Sequence, residues 1–182
     1  MKFLQIFHKS RTCKDFTDIE RYEDVKDIVR RVLDSDDNYN LLFTGPPASA
    51  KTLFLLGIDE REDNCVYFDC SNTTNRILEV LDEERPKVIL LDEIDKMPKI
   101  FQNKLLNLLE NGRVKVHRKN LQLDFVLEDL KVFASSNDLS KLSKPLQSRF
   151  RRLHLPKYTK EQFLSVAVKV CPKLRRNCCY DW

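Results

Sequence analysis

Gly45-Pro46-Pro47-Ala48-Ser49-Ala50-Lys51-Thr52 is the stretch whose reading decides the fold. It opens on glycine and closes on Lys-Thr, the pattern of a phosphate-binding loop. Its surroundings agree. Leu41-Leu42-Phe43-Thr44 before it reads as a short buried strand, and Thr52-Leu53-Phe54-Leu55-Leu56 begins a buried helix. Backbone N–H groups of such a loop turn inward and, with the helix N-terminus, hold phosphate oxygens. Lys51 is placed to reach the β- and γ-phosphates, and Thr52 to offer its hydroxyl to Mg²⁺. The expected ligand is therefore ATP with Mg²⁺, held along Gly45, Pro46, Pro47, Ala48, Ser49, Ala50, Lys51 and Thr52. One position departs from the usual pattern, which has glycine where Ala50 stands. A methyl there costs little if φ is negative, and otherwise crowds a phosphate. Taken alone, the loop also describes a plain strand–turn–helix corner, so the rest of the chain must decide.

Val88-Ile89-Leu90-Leu91-Asp92-Glu93 is an apolar strand ending in two acids. Apolar on both faces, it suits a parallel sheet covered by helices. Its acids fall at the carboxyl end, where open α/β sheets bind ligands. Asp92 can hold Mg²⁺ through water, and Glu93 can orient and activate an attacking water. Lys131-Val132-Phe133-Ala134-Ser135-Ser136-Asn137 is another core strand, and its terminal amide can share that water. Asn at a strand end is also an ordinary turn residue. In Pro145-Leu146-Gln147-Ser148-Arg149-Phe150 an arginine sits between hydrophobic anchors, where it can supply charge to a neighbouring subunit's γ-phosphate. The bland reading of Arg149 is one solvated base among many.

The remaining pattern fills out an α/β fold. Val25, Ile28, Val29, Val32 and Leu33 mark one face of a helix. Cys65-Val66-Tyr67-Phe68-Asp69 is a strand, Asn75 to Leu81 a helix and Ile100 to Glu110 another. From Arg113 to Phe125 apolar and polar residues alternate, with Lys119-Asn120 at the turn, which predicts a β-hairpin. Arg151 to Leu155 is the last strand. Thr159 and Gln162 form a capping box that opens a helix through Val170. Strands alternating with helices predict a mainly parallel five-stranded sheet in an αβα sandwich, with the hairpin inserted.

The 182 residues allow one domain, or one domain and part of a second. A net charge of +4 is too small to imply a polyanion partner by itself. The six cysteines do not form a disulfide framework, and Cys171, Cys178 and Cys179 contain no C-x-x-C pair to hold zinc. With no export signal in view, a cytoplasmic setting with reduced thiols is expected. No apolar run approaches the roughly 20 residues of a membrane helix.

Phosphate loop, Asp-Glu strand, Asn-ended strand and Ser-Arg-Phe, in this order, resemble the AAA+ ATPases, a family of P-loop NTPases. The resemblance covers roughly residues 15 to 170. Leu91-Asp92-Glu93-Ile94-Asp95-Lys96-Met97 is especially similar to motors of the Holliday-junction branch-migration type (RuvB). The hairpin before the Asn strand also resembles those motors, the minichromosome-maintenance helicases and MoxR-type chaperones. The resemblance implies that Lys51 and Thr52 are Walker A residues, Asp92 and Glu93 Walker B residues, Asn137 the first sensor and Arg149 the arginine finger. It places Ile19 and Tyr22 near the adenine, although Arg21 stands where many relatives have glycine. It implies a ring, usually a hexamer, for the full-length protein.

Two substrate classes follow. The basic hairpin residues Arg113, Lys115, Arg118 and Lys119 could touch DNA phosphates, or the hairpin could engage a polypeptide, as in a protein-remodelling chaperone. A plain basic edge that discourages strand pairing is an equally good account. The chain also departs from the family at its end. Residues 1–17 read as an N-terminal segment, 18–156 as the α/β base and 157–182 as the start of a helical lid with an irregular tail. After about Leu174 the helical pattern stops, as in a truncated or out-of-frame end. Without a full lid, weak ATP hydrolysis, or a fragment that only binds nucleotide, is expected.

Overall fold

The computed structural model describes residues 16, 17, 19–72, 77–118 and 121–170. The expected tail irregularity, Lys119 and the first residues of the expected helix at Asn75 lie outside these. Five strands form one parallel sheet: β1 (Tyr39–Thr44), β2 (Cys65–Asp69), β3 (Val88–Asp92), β6 (Lys131–Ser136) and β7 (Arg151–His154), in the order β2-β3-β6-β1-β7. The hairpin strands β4 (Arg113–Arg118) and β5 (Leu121–Val126) pair antiparallel as a separate sheet, Arg113 facing Val126 and Arg118 facing Leu121.

The two-residue period of a strand sends alternate side chains to opposite faces. Leu41, Phe43, Val88, Leu90 and Phe133 pack with α1 (Glu23–Leu33) and α2 (Lys51–Arg61) on one face. Leu42, Ile89, Leu91, Val132 and Ala134 pack with α3 (Ile77–Glu84), α4 (Lys99–Asn111) and α5 (Lys144–Ser148) on the other. This is the three-layer αβα sandwich that the pattern predicts. The hairpin buries Val114, Leu123 and Phe125 in the second cluster and exposes Arg113, Lys115 and Asp124, as its alternation requires. It is fastened at its base, where Gly112 ends α4 at φ +63° and a Cβ there would lie 2.1 Å from the Leu127 carbonyl oxygen.

Several boundaries differ from expectation: α3 runs on to Glu84 rather than ending at Leu81, α4 is longer by one residue at each end, and β1 and β7 differ as well. β1 begins at Tyr39, because Tyr39 and Asn40 continue the parallel register with Lys131 and Val132 although they are half-exposed. β7 stops at His154; Leu155 still donates its N–H to Thr44 O at 2.7 Å. Short elements carried no periodic signal: the 3₁₀ turns Ile94–Lys96 and Leu139–Lys141, and α5, five residues long with Pro145 in its first turn. The final helix, α6 (Lys160–Val170), starts as expected. Thr159 Oγ1 accepts from Gln162 N at 3.3 Å while Gln162 Oε1 accepts from Thr159 N at 3.0 Å, a reciprocal capping box.

Candidate nucleotide site

Parallel register brings the site together. Thr44 lies opposite Ser136 across β1 and β6, and Leu91 lies opposite Ala134 across β3 and β6. The loop after β1, the acids after β3 and the amide after β6 therefore share one edge of the sheet, its carboxyl edge, where such folds bind ligands.

The phosphate-loop segment leaves β1 at Gly45, whose φ is +154°. A Cβ there would lie 2.1 Å from the Leu155 carbonyl oxygen, so only glycine fits. Ala48 takes the left-handed conformation at φ +60° to turn the chain into α2. Ala50 has φ −74°, fully buried, so the departure from glycine is accommodated without backbone strain. Lys51 folds over the loop. Its Nζ donates to Pro46 O at 2.7 Å, Gly45 O at 3.0 Å and Ser49 Oγ at 2.9 Å. Burial lowers its pKa, while the nearby carboxylates of Asp92, Asp95 and Glu93 oppose that shift.

Asp92 is buried and surrounded by donors. Oδ2 accepts from Thr52 Oγ1 at 3.0 Å and from Tyr67 Oη at 2.7 Å. Oδ1 accepts from Glu93 N at 3.1 Å and from Ser135 Oγ. Burial first, and then the bond to Asp92, push the Tyr67 pKa far above the usual phenol range, so Tyr67 is a donor at any working pH. Glu93 sits at φ +55°, a left-handed turn that aims its side chain out of the strand line. Its Oε1 accepts from Asn137 Nδ2 at 3.3 Å and its Oε2 from Lys96 Nζ at 2.5 Å. Asn137 is held by its own N–H, which donates to the buried carboxylate of Asp95 at 3.0 Å.

The structure thus gathers Lys51, Thr52, Asp92, Glu93 and Asn137. It sets the others apart. Arg149 caps the C-terminus of α5 and forms an ion pair with Glu110. Ile19 and Tyr22 are buried in the core beside α2, where the Tyr22 ring packs edge-on to Phe54 and its hydroxyl donates to Pro156 O at 2.5 Å. Arg113 forms a two-pronged pair with Asp124, at 2.8 and 3.0 Å from Nη2, which removes it from the freely charged hairpin face. Lys115 is exposed.

Four residues of the constellation escape sequence reading: Tyr67, Ser135, Asp95 and Gln102. Gln102 is 1% exposed and uses its whole amide, donating to Met97 O and Lys141 O and accepting from Ser143 N. It ties the turn after Asp92-Glu93 to the segment that leads to Arg149. For Ser135 the available signal is its position one residue beyond the apolar run of a core strand that ends in Asn137.

No group of three or more His, Cys, Asp or Glu among the described residues could cage a metal ion. A hydroxyl and one carboxylate instead suit Mg²⁺, which keeps most of its waters and arrives with phosphates. Thr52 and Asp92 fit that description.

The AAA pattern, "ATPase family associated with various cellular activities", matches residues 41–157. The chain belongs to the AAA ATPase family. The match begins in β1 and ends just after β7, so it covers the whole carboxyl edge described above. This AAA domain is 35% identical over 97 residues to Lon protease 3 of Sorangium cellulosum and 33% identical over 85 residues to the Lon protease of Clostridium acetobutylicum. It is 25% identical over 146 residues to the Holliday junction branch migration complex subunit RuvB of Rhodopirellula baltica. These alignments take in 50%, 44% and 74% of the chain, but 12%, 11% and 39% of the three relatives. No helix among the described residues is long and apolar enough to cross a membrane.

Proposed function

We propose that the carboxyl edge of this AAA domain binds ATP with Mg²⁺ and hydrolyses it in an assembly of several copies. The observation that supports this most is the coupling of Thr52, at the start of α2, to Asp92, at the end of β3, through a 3.0 Å hydrogen bond. Lys51 would leave the loop carbonyls for the β- and γ-phosphates, and the N-terminus of α2 would add its N–H groups. Thr52 would give a lone pair to Mg²⁺ and keep its proton on Asp92. Bound Mg²⁺ supplies neutralisation of phosphate charge. Glu93, held from one side by Asn137, would orient the attacking water and take its proton. Arg149 is exposed next to α4 and would act on the nucleotide of an adjoining copy, leaving Glu110 to do so. Ile19 and Tyr22 would then wall the adenine side from the core beneath it.

For the remodelled substrate we propose DNA, with the chain as a motor of the RuvB kind. The support is the similarity to the RuvB subunit across 74% of the chain and the exposed Lys115 on hairpin strand β4, whose sequence also carries Arg118. Protein remodelling of the MoxR kind is the second reading. The Arg113–Asp124 pair favours it, because it neutralises the best phosphate-binding side chain of the hairpin, and so does the similarity to two Lon proteases. ATPase activity and binding to a branched DNA, each at two salt concentrations, separate the two. The DNA reading expects stimulation of turnover and an affinity that falls steeply with salt. Absence of DNA binding at low salt would remove it and leave the protein reading.

A further inference from the structure

An ionised carboxylate offers about four acceptor directions. At Asp92 four donors from the chain already point at them: Thr52 and Tyr67 at Oδ2, Ser135 and the Glu93 N–H at Oδ1. Water on a bound cation would have to take one of these directions from its present donor. The four are not equally replaceable. The Glu93 N–H is backbone. Ser135 Oγ is 1% exposed and also accepts from Glu93 N at 2.8 Å, so it is pinned twice. Thr52 is itself the expected cation partner and loses nothing by keeping its proton on Asp92. Tyr67 is different. It sits on β2, the edge strand of the sheet, half-buried, and Asp92 is the one partner to which its hydroxyl is seen donating. Its ring packs against the cluster beneath α2, so the hydroxyl is held in place from behind.

We propose that Tyr67 is a specificity-determining residue of the cation site, competing with cation-bound water for Asp92 Oδ2 and so weakening the cation's contribution to nucleotide binding. This rests on the ATP–Mg²⁺ reading above. It also gives Asp92 a fixed role: with every acceptor direction engaged, a hydrated cation need displace only one donor, Tyr67, whereas direct coordination would disturb several. A small cation that retains its waters is tolerated, whereas one that strips to carboxylate oxygens, as Ca²⁺ does, is disfavoured.

The test is equilibrium binding of a fluorescent ADP (mant-ADP) to the whole chain, with Mg²⁺ and with EDTA, for wild type and Tyr67→Phe. The ratio of the two dissociation constants is the cation's contribution. Removing one hydrogen-bond competitor should raise that ratio about three- to tenfold while the affinity in EDTA stays unchanged. The gain should be larger when Ca²⁺ replaces Mg²⁺. An equal or smaller ratio in Tyr67→Phe overturns the inference while leaving the nucleotide site standing. No mant-ADP binding by either protein overturns both. If Tyr67→Phe does not fold, judged by its thermal transition, Tyr67→Met removes the same hydroxyl and is held to the same outcomes.

Discussion

At the scale of single residues, the site separates into side chains that a motif announces and side chains that only pairing reveals. Lys51, Thr52, Asp92 and Glu93 are legible as candidates because their spacing within one strand–loop–helix or one strand end fixes their placement locally. Asn137 was legible once its strand was expected in the sheet. Tyr67, Ser135 and Asp95 were not, since each acts across strands: Ser135 meets Asp92 only because β6 lies beside β3, and Asp95 meets Asn137 across the same gap. Glu93 offers the sharpest residue-level expectation. Its φ of +55° and its bonds to Asn137 and Lys96 hold a carboxylate whose proposed task is to accept a proton from water. Glu93→Gln keeps the shape and the Asn137 contact but cannot take that proton. ATP binding should survive within about twofold, and turnover should fall by about 10²-fold or more. Equal turnover in steady-state phosphate release would remove Glu93 from the chemistry.

At the scale of elements, long periodic segments show in the sequence and short aperiodic ones do not. The helix from Lys99 to Asn111 and all five sheet strands follow from burial pattern, with ends displaced by one or two residues. The 3₁₀ turns and α5 have too few residues to show a period, and tertiary bonds from Gln102 define them instead. The capping box of α6 is a case where local chemistry sufficed. Thr159 and Gln162 satisfy two backbone donors that the helix start would otherwise leave open. Gln162 Oε1 also accepts from Arg21 at 3.2 Å, which links α6 to the segment before α1. Thr159→Ala should lower stability by about 1 kcal/mol in urea denaturation, with no change in nucleotide affinity. A loss of affinity instead would mean that α6 contributes to the site more directly than its cap.

At the scale of the whole molecule, the fold is a frame that lines up three strand ends along one edge. The AAA match over residues 41–157 and the parallel order β2-β3-β6-β1-β7 describe the same object. The frame leaves other surfaces outside this edge, among them the hairpin face and the exposed Phe163 and Leu164 on α6. The central claim is that the Gly45–Thr52 loop holds the nucleotide. Titration calorimetry of ATP with Mg²⁺ into wild type and Lys51→Ala tests it most directly. The account predicts saturable binding by wild type and a loss of about 10- to 100-fold in Lys51→Ala, since one charge-assisted phosphate contact contributes about 1.5–3 kcal/mol. Equal affinity in the two proteins, each folded by circular dichroism, would contradict it.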